Sequence, residues 1–217
     1  MFTGHYSASF AGKALAGKSG DKENDKRIPL WLLFIAVQFI DVLWSIFVLL
    51  GIEKVRIVPG VTASNALDLY YMPYTHSLLG ALFWSALAYV VCQIVPSLRG
   101  RRTGLILAAA VFSHWILDLI VHRPDLALYD GVDKMGFGLW NYRGAAFALE
   151  MAVLFGGAAM LYRTATHRAR LVGFVIFLVA LQVFGTFFFP PPPSDLAAAM
   201  TALVSYIVLA LIAWWVD

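Results

Sequence analysis

Six long apolar runs dominate this chain, at residues 28–50, 77–95, 103–122, 145–162, 171–189 and 196–216. Each is roughly 18–23 residues long, the length a helix needs to cross ~30 Å of hydrocarbon. Inside a bilayer a segment must satisfy its own backbone N–H and C=O groups, so runs of this kind fold as helices. The expected fold is therefore all-α, a polytopic membrane bundle of about six transmembrane helices with a short N-terminal helix. Composition points the same way. Of the 217 residues, 61% are hydrophobic and 13% are charged, and the mean hydropathy is +0.77, which excludes an ordinary soluble domain.

The chain divides into an N-terminal arm, 1–27, and one transmembrane domain, 28–217. Phe2 to Gly17 are rich in small residues and read as a short helix that lies on the membrane or re-enters it. The stretch 19–27 is charged and reads as solvated. The start lacks the basic segment and apolar core of a signal peptide. Pro190 to Pro193 form a rigid connector, and Ser194 or Asp195 is placed to cap the last helix. No internal repeat is visible.

Charge sets the expected orientation. Eleven of the sixteen Lys and Arg residues fall in the arm and in the second-to-third and fourth-to-fifth connections. The positive-inside rule then puts both termini in the cytoplasm of a plasma (inner) membrane. The two long connections, 51–76 and 123–144, face outward, where substrate-handling residues tend to sit. The small positive excess matches orientation and membrane-lipid contact, not nucleic acid. The single cysteine, Cys92, excludes an intramolecular disulfide and a cysteine-based metal site.

Against this apolar background, His114 and Asp118 stand four residues apart inside one run. That spacing puts both on one helix face, and His122 continues the stripe. An intramembrane charge costs at least ~2.5–3.5 kcal/mol and marks a functional site by default. Counting along the spans, Asp41, His76, His114, Asp118, His122 and Glu150 all fall between mid-membrane and the outer interface. A shared water-accessible cavity explains one depth for six polar groups. Neutral imidazole and carboxylate are ligands for zinc and related divalent ions. The bland alternatives are hydrogen-bonded core residues for single His or Asp side chains, snorkelling for His122 and Glu150, and belt or packing roles for the tryptophans, with Trp140 as a residue that shapes the site.

The motifs Gly4-His5-Tyr6-Ser7, Asp41 in the first span, Tyr74-Thr75-His76-Ser77 and Ser113-His114-x-x-x-Asp118 occur in that order. Together they resemble the membrane-bound metal-dependent hydrolases, distant kin of zinc-dependent phospholipase C. The resemblance covers about the first 125 residues. It implies that His5, Asp41, His76, His114 and Asp118 are metal ligands and that the activity is hydrolytic. This chain departs from the family pattern around Asp41, where one acidic group and one His are absent, and His122 and Glu150 stand as replacements. His5 joins the set only if the arm folds back into the bundle.

The expected function is an integral-membrane hydrolase using one or two divalent ions, most simply zinc. Asp41 or Glu150 would serve as general base, and Arg123, Asn141 and Arg143 would contact substrate. Family analogy points to a phosphoester of a lipid or lipid-linked substrate. The rival reading is a proton- or ion-coupled transporter that uses the same Asp/His cluster as a relay, and a third is a degenerate family member that serves as a membrane scaffold.

Overall fold

The computed structural model describes residues 1–17 and 28–217; the charged stretch expected at 19–27 lies outside them. A single 3-10 turn, Thr3–His5, leads into α1 (Tyr6–Ala16). Then come α2 (Leu30–Val37) and α3 (Phe39–Leu49), a hairpin of β1 (Lys54–Ile57) and β2 (Leu67–Tyr71), α4 (Leu78–Ile94) and α5 (Arg101–Val121). The chain closes with α6 (Arg143–Tyr162), α7 (Arg168–Phe187) and α8 (Asp195–Val216). Helices dominate, as the apolar runs require, and the protein is an integral membrane protein.

Four helices, α5 to α8, are each long and apolar enough to cross a bilayer. The first expected span is broken. Its halves α2 and α3 meet at Gln38 with a bend of 55°, though neither Pro nor Gly stands there. At the break the Val37 carbonyl accepts a hydrogen bond from His114 Nδ1, 2.8 Å away. A side chain entering the backbone ladder is a recognised cause of a sharp kink. The second expected span is α4, a shorter helix of 17 residues. Serines set two of the helix starts. Ser77 Oγ accepts from Gly80 N at the head of α4, and Ser194 Oγ accepts from Ala197 N at the head of α8.

The connection between α3 and α4 is an antiparallel hairpin in which Lys54 pairs with Tyr71 and Arg56 with Asp68. It is a small departure from an all-helical plan. The connection between α5 and α6 doubles back on itself through isolated bridges between Leu126 and Met135 and between Tyr129 and Val132.

The arm is part of the core. Tyr6 and Phe10 on α1 have no exposed surface. Tyr6 stacks on Phe34 of α2 at 4.3 Å, and Phe34 stacks in turn on Phe174 of α7 at 5.3 Å. Between membrane helices such ring packing holds through close van der Waals contact and not through transfer out of water. Gly157 on α6 lets α1 come close, because a Cβ there would lie 2.3 Å from the Ser7 carbonyl oxygen. At the far end Lys13 forms an ion pair with Asp217 at 2.6 Å. This re-entry carries His5 into the middle of the bundle.

Candidate metal centre

The α5 stripe behaves as its spacing requires. His114, Asp118 and His122 are all buried, at 0, 2 and 2% exposure. Asp118 Oδ2 lies 3.1 Å from His114 Nε2 and 3.5 Å from His122 Nε2. Its other oxygen receives His5 Nε2 at 3.1 Å and also meets the Met1 amine. Asp41, near the start of α3, faces the same point from across the bundle. Asp41 Oδ1 is 3.2 Å from His76 Nε2 and 3.5 Å from His114 Nε2. Tyr206 on α8 donates to Asp41 Oδ2 at 2.7 Å.

Two overlapping donor sets result. One is His5, His114 and Asp118; the other is Asp41, His76 and His114; in each the donor atoms lie within 4.8 Å of one another. A tetrahedral zinc site with bonds of ~2.1 Å separates its ligand atoms by about 3.4 Å. The nitrogen-to-oxygen spacings of 3.1–3.5 Å at His114, with Asp118 and Asp41, fall at that value.

The histidine tautomers sharpen the case. His114 Nδ1 donates to the Val37 carbonyl, and His122 Nδ1 donates to Asp125 Oδ1, each at 2.8 Å. Thr75 donates its hydroxyl to Glu53 Oε2 at 2.6 Å, so Thr75 Oγ1 accepts from His76 Nδ1 at 2.8 Å. Each ring therefore keeps its proton on Nδ1 and presents Nε2 toward a carboxylate. Two lone pairs face each other at these contacts unless a proton or a cation lies between them. Outer acceptors of this kind are what orient metal-binding imidazoles. Among the described residues, buried His114 Nε2 makes no aligned hydrogen bond and His5 Nδ1 has no partner.

At the end of α5, His122 meets a carboxylate at each ring nitrogen, Asp118 Oδ2 at 3.5 Å and Asp125 Oδ1 at 2.8 Å. In the connection between α3 and α4, burial raises the Glu53 carboxyl above its usual range, against the opposing pull of His76 and three hydrogen bonds from Thr75 and Tyr74.

A cavity of about 600 Å³ opens beside the cluster, with Asp41, His76, Asp118, His122 and Glu150 on its wall. His5 and His114 sit behind that wall. Glu150 Oε2 accepts from the Phe2 and Gly4 amides at 3.0 and 3.2 Å, so this carboxylate also anchors the arm. Trp140 lines the cavity and packs its ring 4.2 Å from that of His122.

The three residues expected at the substrate differ in placement. Arg143 lines the cavity, although its Nε donates to the Ala63 carbonyl at 2.5 Å. Arg123 is held by the carboxylates of Asp68 and Asp125 and is not on the cavity wall. Asn141 is exposed and also lies off that wall.

Sequence reasoning missed Glu53, Asp125 and Tyr206. Glu53 is 1% exposed and takes the amides of Tyr74 and Thr75 as well as the Thr75 hydroxyl. An acidic residue in a polar connection carries no local signal. Asp125 did have one, since it follows His122 by three residues. No protein-family model, curated protein or solved structure matches this chain.

Proposed function

We propose that this protein is an integral-membrane, metal-dependent hydrolase acting on a phosphoester. One observation carries the reading. Histidines from the arm, the head of α4 and α5 turn Nε2 atoms onto two carboxylates beside a cavity, Asp118 buried and Asp41 partly so. His5, Asp41, His76, His114 and Asp118 would hold one or two divalent ions of the zinc type, with His122 at the cavity edge. Such an ion lowers the pKa of water toward ~7 and polarises a substrate oxygen.

The remaining roles belong to this chain's own side chains. Glu150 is on the cavity wall, and its Oε1 is the atom assigned to take a proton from the attacking water. Asp41 is the second carboxylate in reach, steadied by the Tyr206 hydroxyl. Arg143, at the cavity rim, binds the phosphate oxygens through charge-assisted hydrogen bonds. The bundle crosses the inner membrane six times, with α2 and α3 as one bent crossing, α4 as a short one and both termini in the cytoplasm. This topology rests on the basic connections and puts the cavity toward the outer face.

Elemental analysis of protein purified without chelators tests the reading. Wild type is expected to carry close to one or two zinc-like ions per chain, and His114→Ala and Asp118→Ala are expected to lose them. Equal metal content in all three rejects the proposal.

A further inference from the structure

The cavity does not end at the polar cluster. It continues between α6, α7 and α8, where Phe147, Leu181, Phe189, Ala198 and Ala202 form its wall under the Pro190–Pro193 connector. These residues belong to membrane-spanning helices or to the turn that joins them. The outer surfaces of the same helices are apolar, with Phe184, Phe188 and Met200 exposed. One space thus has a buried acid–imidazole end, a cationic rim and an apolar branch at bilayer depth. Among the described side chains that line it, Arg143 is the only Lys or Arg. A volume of about 600 Å³ lies inside the ~300–1,000 Å³ range of ligand pockets.

We infer that the substrate is a phospholipid, with one acyl chain lying in the branch between α7 and α8 and its phosphate at Arg143 and the metal cluster. This deepens the hydrolase reading and rests on it. A water-soluble phosphoester has no use for the branch. An apolar wall gains about fourfold in affinity for each CH₂ moved out of water, equivalent to ~0.8 kcal/mol. A lipid already in the bilayer gains less from that transfer. For such a substrate the branch acts chiefly as a guide, aligning the headgroup against the polar end.

Photolabelling tests the assignment without relying on turnover. Full-length protein is placed in nanodiscs that contain a phosphatidylglycerol with a diazirine at mid-chain. After illumination, labelled residues are mapped by mass spectrometry. Ile176 and Leu211, exposed on α7 and α8, report ordinary contact with surrounding lipid. Label on Phe147, Leu181, Ala198 or Ala202 reports a chain inside the branch. The expected result is label at both kinds of position in wild type, with branch label reduced at least fivefold in Ala202→Trp and lipid-facing label unchanged. A second blocking variant, Ala198→Leu, gives the same result if Ala202→Trp does not fold. Label confined to lipid-facing positions in wild type overturns the proposal, as does branch label that survives both blocking variants. Zinc content measured on the same samples separates the two readings. A metal-loaded wild type with an unlabelled branch discards the lipid slot and keeps the hydrolase. Branch label in a protein without metal keeps the slot and discards the hydrolase.

Discussion

The imidazole of His5 lies flat on that of His114, with ring centroids 3.9 Å apart and planes 5° from parallel. One ring comes from the turn that precedes α1 and the other from α5, so the re-entrant arm is bolted to the polar stripe of that apolar helix at the candidate centre. His5 Nε2 reaches Asp118 Oδ1 at 3.1 Å. We expect His5→Ala to weaken zinc binding by more than the ~10–100-fold typical of outer-sphere changes. Competition with a chromogenic chelator measures this. Unchanged affinity removes His5 from the ligand set and leaves Asp41, His76, His114 and Asp118.

The Glu53–Thr75–His76 relay gives a test of tautomer control. In Glu53→Gln the new side-chain amide donates to Thr75 Oγ1, and the Thr75 hydroxyl then turns its proton toward His76 Nδ1. The His76 proton moves to Nε2, the wrong nitrogen for binding Asp41's partner ion. Zinc affinity should fall by about 10–100-fold, and the ¹⁵N shifts of His76 should report the exchanged tautomer. Thr75→Val should lower affinity without that exchange, because it removes the relay altogether. Wild-type affinity and shifts in both variants would show that the relay is only structural.

Gly157 is where α1 touches α6. A methyl there would meet the Ser7 backbone at 2.3–2.8 Å, and backbone yields less readily than a side chain. Gly157→Ala should cost about 1–3 kcal/mol, the range for overpacked sites. It should also lower zinc content, because the arm that carries His5 is pushed outward. Thermal unfolding with metal analysis on the same sample checks both effects. Wild-type melting would mean that the arm is docked more loosely than its buried rings imply.

Topology is open to direct labelling. In a Cys92→Ser background, Val132→Cys in the second long connection should react with a membrane-impermeant maleimide from the outer face. His167→Cys, between α6 and α7, should react only after the membrane is opened. Both positions are exposed. The opposite pattern would invert the bundle and place the cavity toward the cytoplasm.

The apolar runs alone determine that this chain is a helical membrane protein. Hydrocarbon leaves a backbone no other way to satisfy its polar groups, and that constraint is local. The i, i+4 spacing of His114 and Asp118 was legible for the same reason, since one helix carries both. Counting residues along the expected spans put Asp41, His76 and Glu150 at one level, and the fold sets all three on one cavity wall. Three things belonged to tertiary structure. The break at Gln38 is invisible locally, because the partner of the Val37 carbonyl is His114, 77 residues away. The entry of His5 depends on α1 packing against α2, α6 and α7, contacts between segments far apart in the chain. Which nitrogen each histidine offers is decided by Glu53, Val37 and Asp125. Similarly, Arg123 was drawn from the cavity by Asp68, a residue in the first connection whose approach no local pattern announces.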